Sequence, residues 1–301
     1  MSGARAAYLA YRAGAETARR LPPPVGRPLA RVASRAMAAA WRRRRQQVRR
    51  HLRRVTGGDL EGDALHRATA AVFANYARYW YEMFRLGPGS GAELQRDFAV
   101  QGREHLDAAV AGGRGVVLAL PHLGNWDVAG AWLAGLGLAV TVVAETVEPP
   151  ELFDWFVSAR RAVGMDVVAL GPDAGPAVLR ALHRGDVVCL VCDRDLTGDG
   201  VEVDFFGEST RMPGGPAVLA LRTGAPLLPA ATYFRDERRH CVWFGAPLEV
   251  ERRGRLRDDV QRVTQELAHT FERLIQAAPE QWLMMQPNWP SDSSSGMDVG
   301  A

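Results

Sequence analysis

Hydrophobic and polar positions follow two rhythms along this chain. Over residues 62–86 the helical period rules: Phe73, Tyr76, Trp80 and Phe84 recur three and four apart and share one face. A plain loop, GPGSG, follows at 87–91. Beyond it, short apolar runs alternate with longer amphipathic segments. The runs at 116–120, 140–144, 167–170, 187–192, 226–231 and 241–244 predict strands, and the segments at 126–136, 151–163, 175–184 and 215–223 predict helices. A final helix is predicted over 256–277, with Val260, Val263, Leu267, Phe271 and Leu274 as its apolar stripe. Alternation of this kind predicts one α/β domain over 59–290, with a central mixed, largely parallel β-sheet covered by helices on both faces. N-terminal helices precede it over 1–58, broken at Pro22 to Pro24, and a serine-rich tail at 291–301 is expected to be disordered.

Charge changes the picture of the front end. The net charge of +3 conceals an asymmetry: residues 1–54 hold 15 Arg and one acid, Glu16, giving +14, while the rest of the chain sums to −11. Interleaved apolar residues (Tyr8, Leu9, Leu29, Val32, Met37) make residues 1–58 a candidate membrane-surface region, because anionic lipid attracts such helices. A solvated helix face, a nucleic-acid patch and a transit peptide are the competing readings. The longest apolar run, 128–143, has 16 residues interrupted by Gly130, Gly135 and Gly137. A spanning helix needs about 20.

All 37 basic residues are Arg, which removes Schiff-base lysines and the Walker-type phosphate loop. G-x-S-x-G is absent, so a hydrolase elbow is not expected. The seven His are scattered without metal-ligand spacing. Cys189 and Cys192 lie three apart on a predicted strand, so their thiols point to opposite faces and read as buried apolar residues.

The chemistry concentrates at VVLALPHLGNWD, 116–127, where a buried strand runs through His122 into a helix start. On a continuous helix His122 and Asp127 would diverge by roughly 140°. A turn at Gly124 lets the carboxylate face the imidazole, fix its tautomer and support it as a general base. The competing reading is a capped turn, with Asn125 or Asp127 as the cap. Ligands in open α/β sheets bind at the carboxyl ends of strands. Glu145 and Asp193 close two further strands there, Arg160 follows on a helix, and Asp193, Arg194 and Asp195 form a charged step. Arg211 beside Gly214 and Gly215, ahead of Pro216, forms a candidate phosphate site at a helix N-terminus, or simply a loop entering a helix.

ALPHLGNWD (119–127) and CDRDLTGDGVEVDFFGESTRMPGGPA (192–217) resemble the bacterial lipid A acyltransferase-like family within the glycerolipid acyltransferase, H-x4-D, group. FANYARYWYEMFRL (73–86) and PEQWLMMQPNW (279–289) resemble its phosphatidylinositol mannoside acyltransferase subfamily, so the likeness spans about residues 60–290. The resemblance implies transfer of a long, palmitoyl-like acyl chain from acyl-CoA to a mannose hydroxyl of a phosphatidylinositol mannoside. His122 would be the general base and Asp127 its orienting partner. Glu145 and Arg160 match active-site positions. Asp193 stands where the subfamily carries Glu, one methylene shorter. The implied partners are acyl-CoA as donor substrate, a glycolipid acceptor and an anionic membrane surface, with no cofactor, metal or nucleic acid. The implied location is peripheral, on the cytoplasmic face of the cell membrane. Another lysophospholipid or glycolipid acceptor, or a non-catalytic anionic-lipid-binding protein, are the alternatives. The stripe of Phe73, Tyr76, Trp80 and Phe84 would line an acyl groove or simply pack the core.

Overall fold

Runs such as VVLAL, apolar at every position, have no polar face to give to water and so form strands covered on both sides. In the computed structural model, which describes residues 3–88, 90–236 and 239–293, four helices come first. These are α1 (Gly3–Arg20), α2 (Pro23–Ala40), α3 (Arg42–Val55) and α4 (Gly62–Arg85). Then follow α5 (Ser90–Asp97), β1 (Phe98–Gln101), α6 (Arg103–Ala111), β2 (Val116–Leu120), α7 (Trp126–Gly135), β3 (Val140–Ala144), α8 (Pro150–Arg161) and β4 (Met165–Ala169). The chain continues through α9 (Ala174–His183), β5 (Val187–Val191), β6 (Val201–Phe205), β7 (Glu208–Met212), α10 (Gly215–Thr223), β8 (Leu227–Phe234) and β9 (His240–Phe244). It closes with α11 (Leu256–Gln276), a 3-10 turn (Pro279–Gln281) and α12 (Pro290–Ser293).

Seven strands form one sheet in the order β1-β9-β8-β2-β5-β3-β4. Every pairing is parallel except β8 with β9, so β1 and β9 run against the other five. This is the mixed, largely parallel sheet expected of the sequence, with every predicted strand in it. Its alternate residues face two layers. Val117, Ala119, Val188 and Leu190 pack against α9, α10 and α11, while Val116, Leu118 and Leu120 pack against α6 and α7. Cys189 and Cys192 fall into these opposite clusters, as their spacing requires.

Besides the edge strand β1 and helices α5 and α6, two further features were not predicted. The hairpin β6–β7 lies within what reads as a loop before α10. Its alternation is nonetheless plain in burial: Val203, Phe205, Thr210 and Met212 face inward, and Glu202, Asp204 and Arg211 face water. The second feature is the carboxyl-terminal segment. Ser291 and Asp292 belong to α12 rather than to a disordered tail, because the buried Asp292 pairs with His51 of α3. The rest of the expected tail, 294–301, lies outside the described residues. Arg54 of α3 also reaches Glu208 of β7 at 2.8 Å, so α3 is bonded to both the hairpin and the chain end. Helices α1 and α2 pack along α4.

Candidate active site

The path from β2 into α7 is set by two residues. Gly124 has φ of 63°, and a Cβ there would stand against the Thr232 carbonyl, so only glycine turns the chain at this point. Asn125 then caps α7, its Oδ1 accepting the Val128 N–H at 3.2 Å. The resulting turn is pinned from outside. The Gly124 N–H donates to Gln281 O, the Leu283 N–H to His122 O, and the Thr232 hydroxyl to Leu123 O. His122 therefore sits beyond the carboxyl end of a central strand, on backbone held at three points.

The imidazole faces Asp193, which follows β5. His122 Nδ1 lies 2.5 Å from Asp193 Oδ1, and the His122 backbone N–H donates to Oδ2 at 2.9 Å. The Trp282 indole N–H donates to the same Oδ2 at 2.7 Å. Burial pushes the Asp193 carboxyl up, but the facing imidazole and these hydrogen bonds hold it below its ordinary value. A carboxylate at Nδ1 favours the ring proton there, and in the neutral imidazole that tautomer leaves the lone pair on Nε2. The ring is partly exposed and His122 lines the cavity, while Asp193 behind it is fully buried and does not meet water. The Asp193 side chain thus reaches the imidazole directly.

The expectation that Asp127 faces His122 is corrected by this geometry. Asp127, in the first turn of α7, accepts two hydrogen bonds from Arg160 of α8, at 2.6 and 3.0 Å, and one from the Tyr79 hydroxyl at 2.5 Å. Its carboxylate is fully engaged by this bidentate pair and phenol, and no hydrogen bond joins it to His122. Burial and the Asp127 carboxylate push the Tyr79 phenol well above its ordinary value, so it stays a donor. Burial alone would lower Arg160, yet Asp127 raises it, and the guanidinium stays charged. Asp127 ties α7 to α4 and α8, and Asp193 holds the His122 imidazole.

Beside His122 opens a cavity of ≈ 490 Å³ with mainly apolar walls. His122, Asp127, Glu145, Arg160 and Arg194 all line it, so five sequence-predicted residues converge here. Glu145 stands exposed at the end of β3. Arg211 does not join them, which corrects the phosphate-site reading. As an outward residue of β7 it donates to Gly198 O at 2.8 Å and borders a separate depression with Glu202 and Asn288. Of the aromatic stripe only Trp80 lines the cavity; Phe73, Tyr76 and Phe84 pack between helices. Tyr79 and Trp282, both missed by sequence reasoning, complete the site. An unbroken polar tip on an otherwise apolar, buried Tyr or Trp was the only signal that either carried.

Residues 5–291 match the family described as bacterial lipid A biosynthesis acyltransferase. The phosphatidylinositol mannoside acyltransferase of Mycobacterium tuberculosis (strain CDC 1551 / Oshkosh) is 43% identical over 256 residues, covering 83% of this chain and 78% of the relative. The protein of the same name from Mycolicibacterium smegmatis is 41% identical over 255 residues, covering 83% and 81%. A lipid A biosynthesis acyltransferase of Haemophilus influenzae is 24% identical over 214 residues, covering 70% and 65%. With a family match over nearly its whole length, this chain belongs to the bacterial lipid A biosynthesis acyltransferase family and is an acyltransferase.

Proposed function

We propose that this acyltransferase moves a long fatty acyl chain from acyl-CoA to a mannose hydroxyl of a phosphatidylinositol mannoside. The observation that carries the reading is the His122–Asp193 pair at an apolar cavity beyond the carboxyl ends of the sheet. In the proposed reaction His122 Nε2 takes the proton of the acceptor hydroxyl as its oxygen attacks the thioester carbon. Asp193 stabilises the imidazolium. The C–S bond then breaks, and the same proton passes from Nε2 to the departing CoA sulfur. The thioester is already activated, so the chain needs only a base and positioning. General base catalysis typically contributes about 10²–10⁴-fold, and holding the two substrates together supplies much of the remainder. The cavity's apolar wall suits an acyl chain, while Glu145 and Arg194 at its lining supply polar contacts of the kind a sugar hydroxyl or an anionic group requires. The acceptor class is taken from relatives at 41–43% identity.

The same proposal places the protein at the cytoplasmic face of the membrane, held peripherally. No helix of the described residues is long and apolar enough to cross a bilayer. Val25, Leu29 and Val32 of α2 are each about half exposed at helical spacing, beside Arg27 and Arg35.

The test is to incubate the protein with palmitoyl-CoA and a phosphatidylinositol mannoside, following free CoA and lipid mass. A palmitoyl increment on the lipid, lost in His122→Ala, is the expected result. An increment found only on a lysophospholipid would replace the acceptor, and absence of CoA release from folded protein would overturn acyl-CoA as the donor.

A further inference from the structure

The cavity is lined from both faces of the sheet: Val178 of α9 and Leu219 of α10 border it on one face, and on the other it runs back along the strands. Leu118 and Leu120 of β2 and Val142 of β3 line it on the face that packs against α7. At its far end the lining includes Met165, the first residue of β4, and Gly130 in the middle of α7. Strand register gives the depth. Met165 pairs with Val140, Val140 with Val187, and Val187 with Val116, so Met165 lies level with Val116. His122 is six residues further along the same strand direction, about 20 Å at 3.3 Å per residue. One leaflet of a bilayer, filled by long acyl chains, is about 15 Å thick, half of the roughly 30 Å hydrocarbon core. The slot is therefore of long-chain length.

We infer that Gly130 and Met165 form the floor of this slot and set the length of acyl chain that the enzyme accepts. The inference rests on the proposed acyl-transfer function. Two observations on the residues themselves carry it. Glycine within a helix is unfavourable relative to alanine. At 130 an added Cβ would stand 2.5 Å from Met165 Sδ, so no larger residue fits while Met165 keeps its place. The two residues touch, both are walls of the cavity, and Met165 is 2% exposed. Adding a methyl at 130 forces the flexible thioether to move, and the free space open to it is the cavity. The slot then shortens. Truncating Met165 removes the floor and lengthens it.

The experiment measures kcat/KM for a series of acyl-CoA donors from decanoyl to arachidoyl, in wild type, Gly130→Ala, Met165→Ala and the double variant, with Tm recorded for each. The readout is the ratio between donors, not the absolute rate. Gly130→Ala is expected to lower the palmitoyl-to-lauroyl ratio about tenfold or more, the scale of one misplaced methylene in an apolar pocket. Met165→Ala is expected to raise the ratio of arachidoyl to palmitoyl. Combining the two is expected to return the profile towards wild type, since the added methyl no longer meets a thioether. Wild-type profiles in both single variants, with Tm unchanged, would overturn the inference while leaving acyl transfer standing. If wild type itself turns over no donor of any length, the proposed acyl-CoA donor fails and this inference falls with it.

Discussion

Asp193 and Asp127 are both buried carboxylates within the first turns beyond a strand, and their partners separate their roles. In Asp193→Asn the amide oxygen still accepts from Trp282 and from the His122 backbone, so its NH2 group must face Nδ1. Nδ1 then has to accept, the ring proton moves to Nε2, and the base is lost. The expected outcome is a fall of about 10²–10⁴-fold in kcat with the acceptor KM little changed. In Asp127→Asn the loss falls on Arg160, a buried charge left without its counter-ion, at a cost of about 3–5 kcal/mol. A large drop in Tm with His122 chemistry retained per folded molecule is expected, read by thermal melting beside kcat. The linkage sign for Asp193 follows from its direction. A carboxyl held below its ordinary value contributes stability that is present above the unfolded carboxylate range and lost as pH falls through the lowered folded value. Tm should therefore decline on acidification below about pH 5, and less steeply in Asp193→Asn. How much of this was legible is clear from the same residues. His122 and Asp193 were placed at strand ends by the apolar runs before them. Their pairing was not, because β2 and β5 are neighbours only through a register that no local pattern encodes. The H-x4-D spacing drew attention to the nearer carboxylate, which an Arg on a separate helix had already engaged.

Among the elements, the segment from Pro279 to Trp289 contributes more to the site than its irregular sequence implies. Gln281 O accepts from the Gly124 N–H, the Leu283 N–H donates to His122 O, Trp282 bonds Asp193, and the Asn288 amide donates to Asp193 O at 3.1 Å. The far end is fastened by α3, where His51 lies 3.2 Å from Asp292 and Arg54 stacks on the Trp289 ring. Trp282→Phe keeps the ring and removes one hydrogen bond to a carboxylate, worth about 1.5–3 kcal/mol. Its expected signature is a drop in kcat of about tenfold or more and a rise in the pH at which Asp193 takes up its proton. A merely structural role would move Tm and leave the pH profile alone. Helix α7 gives the matching test on the other side. Asn125→Ala removes the cap and also leaves Glu82 Oε2 without its 2.9 Å partner, so a loss of about 1 kcal/mol or more is expected in denaturant melts. Helices and inner strands could be read from sequence because periodicity records which face is buried. The strap and the β6–β7 hairpin could not, since their burial comes from partners far along the chain. For the hairpin these include Gln265, whose amide bonds both the N–H and the C=O of Asp204.

Charge divides the whole molecule between its helical front and its catalytic body, +14 over residues 1–54 against −11 over the remainder. This division sets the orientation that membrane docking would take. Among the described residues, four of the five most exposed large apolar side chains, Leu9, Val25, Leu29 and Val32, lie on α1 and α2. The fifth, Leu196, lines the cavity. Apolar side chains and arginines together bind an anionic bilayer in two additive ways: about 1.5–3 kcal/mol for each aliphatic side chain removed from water, and about 1 kcal/mol for each basic residue near the surface. The electrostatic share decays over a Debye length of about 8 Å at physiological salt, so the two contributions separate experimentally. The full chain is expected to sediment with vesicles containing phosphatidylinositol and much less with neutral phosphatidylcholine, and rising salt should reduce the bound fraction without abolishing it. Leu29→Asp with Val32→Asp should weaken partitioning at least about tenfold, because both aliphatic contributions go and two acids now oppose the lipid charge. Neither residue touches the cavity, so CoA release from a monodisperse short-chain donor should persist in that variant while transfer to lipid in vesicles falls. Equal binding of wild type and variant to anionic vesicles would remove α2 from the membrane contact and leave the arginines alone to account for it.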